Sequence, residues 1–240
     1  MPDPVWDTLA SDTEELVLAG NGLTEVSERI GALRALRMLD LGHNALTSLP
    51  DVIGDLPALT DFLYVHDNRL RALPATFARL SRLRYLNASE NELTELPACV
   101  AGMLSLVELR LSANDLTELP SSIGRLTALR ELCLRDNRLA TLPRELGALR
   151  ELRALDLRGN PLERLPDELC ELPALEKLDL RWVSALDGSA IPDALVARGC
   201  RVYRLAQGER RRRDQRAGVF SSASTAARTA SGTGTFSIVR

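Results

Sequence analysis

A chain of 240 residues, 45% of them hydrophobic and 26% charged, holds enough apolar material for one ordinary folded domain. No apolar run approaches the length of a membrane span, so no transmembrane helix is expected in it. The four cysteines, Cys99, Cys133, Cys170 and Cys200, lie in different repeats and form no close pair, so a reducing, cytoplasmic location is expected.

The chain opens with Met1-Pro-Asp-Pro-Val-Trp-Asp7, which is acidic and lacks the basic and apolar regions of a secretory signal. Residues 1–13 are expected to form an N-terminal cap, with Trp6 and Leu9 as plugs. From residue 14 the chain repeats itself. Asparagine recurs at Asn21, Asn44, Asn68, Asn91, Asn114, Asn137 and Asn160, at a spacing of 23 residues broken by a single 24 between Asn44 and Asn68.

Leucines five and three residues before the Asn, with Val65 and Ala88 in two of these places, alternate with residues of the other face, the period of a strand with one buried face. Each repeat therefore contributes one short strand, as in Leu132-Cys-Leu134 or Leu155-Asp-Leu157. The following aliphatic positions, such as Leu116, Leu119, Ile123, Leu126 and Leu129, are spaced irregularly, as on a compact return path. Proline stands six residues after the Asn at Pro50, Pro74, Pro97, Pro120, Pro143 and Pro166, and lacking an amide donor it keeps that position out of any sheet ladder. A repeat this short cannot bury its own apolar side. Successive repeats must stack with their strands parallel, and stacking puts each Asn against the backbone of its neighbours, where its carbonyl and amide both find partners. The seven asparagines thus read as a structural ladder.

The extra residue of the 24-residue repeat lies between Leu59 and Asn68 and leaves two registers. If it precedes the strand, Leu63 and Val65 face the interior; if it follows, Phe62 and Tyr64 do. The first keeps the Leu-x-x-Asn turn intact and is the expected one. Further on, Leu178-Asp-Leu180 repeats the strand once more, but Val183 occupies the Asn position and the ladder ends. Ile191 to Gly199 reads as a short helix with Pro192 in its first turn, and Arg201 to Leu205 as a closing edge strand. Residues 184–206 would form the second cap.

From residue 207 the composition turns to arginine and then to Ser, Ala, Thr and Gly, the composition of a disordered tail. Residues 207–240 hold seven Arg and two acidic residues, a balance of +5 that leaves −8 on the rest of a chain whose net charge is −3. Arg210-Arg-Arg-Arg213 suits an acidic partner, nucleic acid or an anionic membrane surface, although a solvated charge run is the commoner case.

The frame Leu-x-x-Leu-x-Leu-x-x-Asn-x-Leu-x-x-Leu-Pro-x-x-Ile-Gly-x-Leu over residues 14–183 resembles the 23-residue intracellular class of leucine-rich repeats found in Ras-pathway scaffolds, plant relatives and bacterial proteins. The resemblance implies an α/β fold: a right-handed curved solenoid of about eight strand-bearing repeats, with a parallel β-sheet on its concave face and irregular or short helical segments on its convex side. It also implies a protein or peptide partner bound on the concave sheet, without catalysis, cofactor or small-molecule substrate, as a scaffold or regulator. Some bacterial effectors resemble this array while carrying a ubiquitin-ligase domain, but a tail of about 34 residues is too short to form one.

Three columns of side chains should line the concave face. Six residues before the Asn stand Glu15, Met38, Phe62, Tyr85, Glu108, Glu131, Ala154 and, in the repeat without Asn, Lys177. Four before it stand Val17, Asp40, Tyr64, Asn87, Arg110, Cys133, Asp156 and Asp179. Two before it stand Ala19, Gly42, His66, Ser89, Ser112, Arg135, Arg158 and Arg181. Met38, Phe62, Tyr64, His66 and Tyr85 form one candidate protein-binding zone, because rigid amphipathic rings anchor interfaces. Arg110, Arg135, Arg158 and Arg181 form a second, suited to an acidic or phosphorylated segment unless Asp156 and Asp179 neutralise it internally.

Catalysis finds no support. Cys133 is a conceivable thiol nucleophile, but His66 stands three repeats away, about 14 Å at strand spacing, beyond the reach of a general base. His43 and His66 fall in different columns without clustered cysteines, so no zinc site is expected.

Overall fold

The structure, a computed structural model, describes residues 10–183, 186 and 191–204. Nine three-residue strands lie side by side in chain order: β1 (Glu15–Val17), β2 (Met38–Asp40), β3 (Phe62–Tyr64), β4 (Tyr85–Asn87), β5 (Glu108–Arg110), β6 (Glu131–Cys133), β7 (Ala154–Asp156), β8 (Lys177–Asp179) and β9 (Arg201–Tyr203). Every neighbouring pair is parallel, with Leu39 opposite Leu63 and Leu63 opposite Leu86. The chain is a right-handed solenoid with this sheet on its concave face. The strands start one residue before the first leucine of each pair, yet the ladder continues past them: Leu134 N–H donates to Asp156 O at 2.9 Å and Asp136 N–H to Arg158 O at 2.7 Å.

The core is a column of aliphatic side chains closed within each turn. In the fifth turn Leu109, Leu111, Leu116, Leu119, Ile123, Leu126 and Leu129 are all buried, so the irregularly spaced positions point inward as fully as the strand leucines do. The 24-residue repeat keeps Leu63 and Val65 inside at 0% exposure. Leu56 and Leu59 still follow Leu33 and Leu36 by 23 residues, whereas Phe62 follows Met38 by 24, so the extra residue sits at Thr60–Asp61 on the return segment.

That return segment is more regular than the sequence suggests. Seven five-residue 3-10 helices, from Glu28–Ala32 to Asp167–Glu171, stand opposite the sheet, and six of them start directly after the recurring proline. Proline fixes φ and needs no hydrogen bond for its missing amide, so it suits the entry to a helix. These helices stack closely. A Cβ at Gly54 would lie 2.5 Å from the Thr76 carbonyl oxygen, which explains a glycine there.

The turn after each strand carries a left-handed residue just before the Asn: Gly20, His43, Asp67, Glu90, Ala113, Asp136 and Gly159, with Trp182 in the same place before Val183, at φ between 49° and 71°. Non-glycine residues accept this at a cost of about 1–2 kcal/mol. The Asn itself secures the turn. Asn114 Nδ2 donates to Leu111 O (3.1 Å) and Ser112 O (3.3 Å) of its own turn and to Ala88 O (3.0 Å) of the preceding one, while its Oδ1 accepts from Leu93 N–H (3.1 Å). The same pattern runs from Asn44 to Asn160. The side chain of Asn21, on the first rung, donates only to Ala19 O among the described residues, while its backbone N–H donates to Asn44 Oδ1 at 3.1 Å.

At the far end, helix α1 (Ile191–Ala197) packs Leu195 into the core and ends at Gly199, whose φ of 92° lets Cys200 N–H return to Leu195 O. β9 then covers the edge of β8. The expected plugs Trp6 and Leu9 and the tail with Arg210–Arg213 lie outside the described residues.

Candidate interaction face

The period of two that buries the strand leucines sends their neighbours to the concave face. On β2 to β4 these neighbours are mostly aromatic and they touch. Phe62 stacks on Tyr64 (centroids 6.0 Å) and meets Tyr85 at 5.5 Å; Tyr64 lies 5.0 Å from Tyr85 and 6.1 Å from His66. Met38 stands opposite Phe62 in register, and Arg110 extends the cluster with its guanidinium 5.9 Å from the Tyr85 ring. Phe62 is 44% exposed, more than any other described Phe, Tyr or Trp. Burial pushes the Tyr85 hydroxyl up to about 12, against the lowering field of Arg110, and burial also raises Tyr64, so both phenols stay protonated donors at neutral pH.

One neighbour of this cluster escapes the column reading. His43 occupies the left-handed turn position of the second repeat, outside all three columns, and it meets His66 of the next repeat edge to face at 4.6 Å. Their Nε2 atoms are 3.2 Å apart, and His43 Nδ1 is 2.7 Å from Asp67 Oδ2. His66 lies over Gly42, where an added Cβ would stand 2.4 Å from Cε1, and its Nδ1 is buried without a hydrogen-bond partner. The separation expected from different columns is therefore wrong for these two residues. Column membership tracks strand positions only, and the turn residue of one repeat reaches the strand end of the next.

Toward β7 and β8 the face becomes charged and internally paired. Arg158 grips Asp156 through Nε (2.9 Å to Oδ1) and an Nη nitrogen (2.6 Å to Oδ2), and its Nε lies 3.5 Å from Asp179. Arg181 repeats the bidentate grip on Asp179 at 2.9 and 2.7 Å. Asp179 is 1% exposed. Burial opposes its charge, but hydrogen bonds from the Arg181 side chain and amide and the fields of Arg181 and Arg158 outweigh it and hold its pKa below 3.8. The internal neutralisation by Asp156 and Asp179 is what the structure shows. Arg135 differs: its Nε approaches Asp136 at 3.2 Å but lacks hydrogen-bond geometry. The sequence pattern also gave no sign of the aromatic pair at this end, Trp182 and Tyr203, with the Arg181 guanidinium 5.7 and 5.8 Å from their rings.

Cys133, the conceivable nucleophile, is half-buried, and desolvation raises its pKa above 9.0 despite Arg110. It is therefore a neutral thiol at physiological pH and a poor nucleophile.

A sequence profile described as leucine rich repeat matches residues 12–70, 61–116, 105–162 and 127–182, which covers most of the chain. The chain belongs to the leucine-rich repeat family. Solved structures of this family resemble it throughout the array. A leucine-rich repeat protein of Leptospira interrogans is 27% identical, with a TM-score of 0.69 over 86% of this chain and 57% of its own. A TDR receptor gives 26% identity and a TM-score of 0.71 over 85% of this chain and 36% of its own. The Arabidopsis receptor kinase HAESA, solved with a peptide hormone and a co-receptor, gives 28% identity and a TM-score of 0.63 over 72% of this chain and 30% of its own. This leucine-rich repeat chain thus spans just over half the length of the Leptospira protein and about a third of each receptor. Among the described residues no helix is long and apolar enough to cross a membrane.

Proposed function

We propose that this chain is a non-catalytic interaction module that docks a protein or peptide on its concave sheet, with Met38, Phe62, Tyr64, His66 and Tyr85 as the anchor. The observation that carries this reading is the continuous ring cluster on β3 and β4, with Phe62 44% exposed. The sheet's other side is already covered, so these rings add nothing to the core and cost solubility unless a partner covers them. Their few rotatable bonds make them cheap to immobilise at an interface, and truncating such an anchor costs about 2 kcal/mol or more of binding. The peptide complex of the related receptor kinase supports a peptide-sized ligand.

Arg110, paired through Nε with Glu108, and Arg135, whose Nε approaches Asp136 without hydrogen-bond geometry, lie beyond the anchor and favour a partner with acidic residues beside its apolar ones. Arg158 and Arg181 contribute a rigid rim, since their donors are already committed to Asp156 and Asp179. The repeats belong in this reading to the 23-residue intracellular class, bounded by caps at residues 1–13 and 184–206 and followed by a basic tail from 207, in a cytoplasmic protein. The test is a quantitative pull-down from extract with three baits: wild type, Phe62→Ala with Tyr85→Ala, and a chain ending at residue 204. A partner retained by the truncated chain and lost from the double variant supports concave-face docking. A partner retained by the double variant and lost on truncation overturns it and assigns binding to the basic tail.

A further inference from the structure

At the margin of the docking zone His66, one of its anchor residues, meets His43, which docking does not use: the two imidazoles approach edge to face with their Nε2 atoms in hydrogen-bond distance. Asp67 takes His43 Nδ1 at 2.7 Å, which fixes the ring and leaves Nε2 as the free nitrogen of the neutral tautomer. That nitrogen faces Nε2 of His66 at 3.2 Å. His66 is positioned independently, seated over Gly42 at a place where any larger residue would displace its ring. Two nitrogens each about 2.0–2.1 Å from one ion are separated by about 2.9 Å in a square-planar and about 3.3 Å in a tetrahedral arrangement. The observed 3.2 Å falls inside that interval.

We propose that His43 and His66 form a two-nitrogen site for a borderline divalent transition metal ion, Cu(II), Ni(II) or Zn(II), with Asp67 as the positioning carboxylate. The ion takes the place of the proton now shared between the two Nε2 atoms. His43 keeps Nδ1–H on Asp67, the carboxylate–histidine–metal arrangement that raises ligand basicity. The proton of His66 moves to Nδ1, so the shared site loses none to solvent; that nitrogen is buried without an acceptor, and the cost of placing an N–H there offsets part of the binding. Water fills the remaining positions. Imidazole selects against Ca(II) and Mg(II), which require oxygen donors. With two protein ligands the affinity is modest, in the order Cu(II) above Ni(II) and Zn(II).

The experiment is titration calorimetry of the full chain with Cu(II), Ni(II), Zn(II) and Ca(II), paired with electron paramagnetic resonance of the Cu(II) form. His43→Asn is the first variant, because Asn tolerates the left-handed backbone at that position; His66→Gln and Asp67→Asn follow, each checked by circular dichroism. The expected result is one nitrogen-ligated Cu(II) per chain, no Ca(II) binding, about tenfold or greater weakening in either histidine variant and about tenfold in Asp67→Asn. Metal binding undiminished in both histidine variants places the ion on cysteines or the tail and overturns the proposal, as does the absence of binding to wild type. Partner capture is not part of this measurement, so its outcome and that of the docking test are independent.

Discussion

Replacing Asn114 tests the ladder at its centre. In Asn114→Ala the amide of Leu93 loses its acceptor inside the core, while the carbonyls of Ala88 and Leu111 each keep a second asparagine donor, Asn91 and Asn137. One orphaned buried N–H costs about 1–3 kcal/mol, and the lost bonds to carbonyls that remain partly served add about 1 kcal/mol, so a destabilisation of about 2–4 kcal/mol is expected. Asn114→Asp should be worse at neutral pH. One carboxylate oxygen still accepts from Leu93, but the other is forced against three carbonyl oxygens, and a buried charge is added. That environment raises the folded-state pKa of the new carboxyl above its unfolded value of about 3.9, so the native state binds more protons and the penalty grows as pH rises through the raised pKa. Asn21→Ala, which removes the single described bond of that side chain, should cost under about 1 kcal/mol and serves as the control. Urea unfolding followed by circular dichroism at pH 5 and pH 8 measures all three. A loss below about 1 kcal/mol for Asn114→Ala, or an Asp penalty that does not grow with pH, would refute the ladder as the element that secures the turns.

Ala113→Gly relieves a left-handed alanine at φ 53° and should stabilise the chain by about 0.5–1 kcal/mol, whereas Gly159→Ala, whose new Cβ would stand 2.2 Å from Asp136 Oδ1, should destabilise it by more; thermal melts give both signs. Cys133 should alkylate slowly with iodoacetamide at pH 7 and accelerate only above pH 9, and rapid labelling at neutral pH would contradict its desolvated environment. The depressed Asp179 carboxyl contributes stability that is complete above its unfolded pKa near 4 and is lost as pH falls through the lower folded value; Asp179→Asn should flatten that acid limb in unfolding experiments between about pH 5 and pH 2.

The strands, their register and the aromatic zone were readable because a period of two and a repeat of 23 residues leave little choice about which side chains share a face. Even the 24-residue repeat was readable: keeping Leu63, Val65 and Asn68 in frame forces the extra residue onto the return path. Other features left no such trace. The left-handed position is filled by His, Asp, Glu, Ala and Trp as well as Gly, so residue type does not mark it; an asparagine follows it in seven turns, and Trp182 adopts it before Val183 without one. The 3-10 helices are too short for helical periodicity, although the recurring proline marks their start. The pairing of His43 with His66 depends on a turn residue leaning across to the next strand, a relation that falls between the columns.

The concave face is thus uneven in how far its own groups satisfy one another. On β7 and β8 the bidentate pairs of Arg158 with Asp156 and of Arg181 with Asp179 use the planar fork of each guanidinium, and a ligand anion would have to displace a carboxylate already held at 2.6–2.9 Å. The exchange of one carboxylate for another gains little, and it exposes the charge of the displaced aspartate. On β3 and β4 the rings pack on one another, with Arg110 and His66 at the margin, and a partner that covers Phe62 removes apolar surface from water without displacing an ion pair. Binding energy should therefore concentrate at the aromatic end, while the arginine end sets orientation and rejects partners that bring further cations.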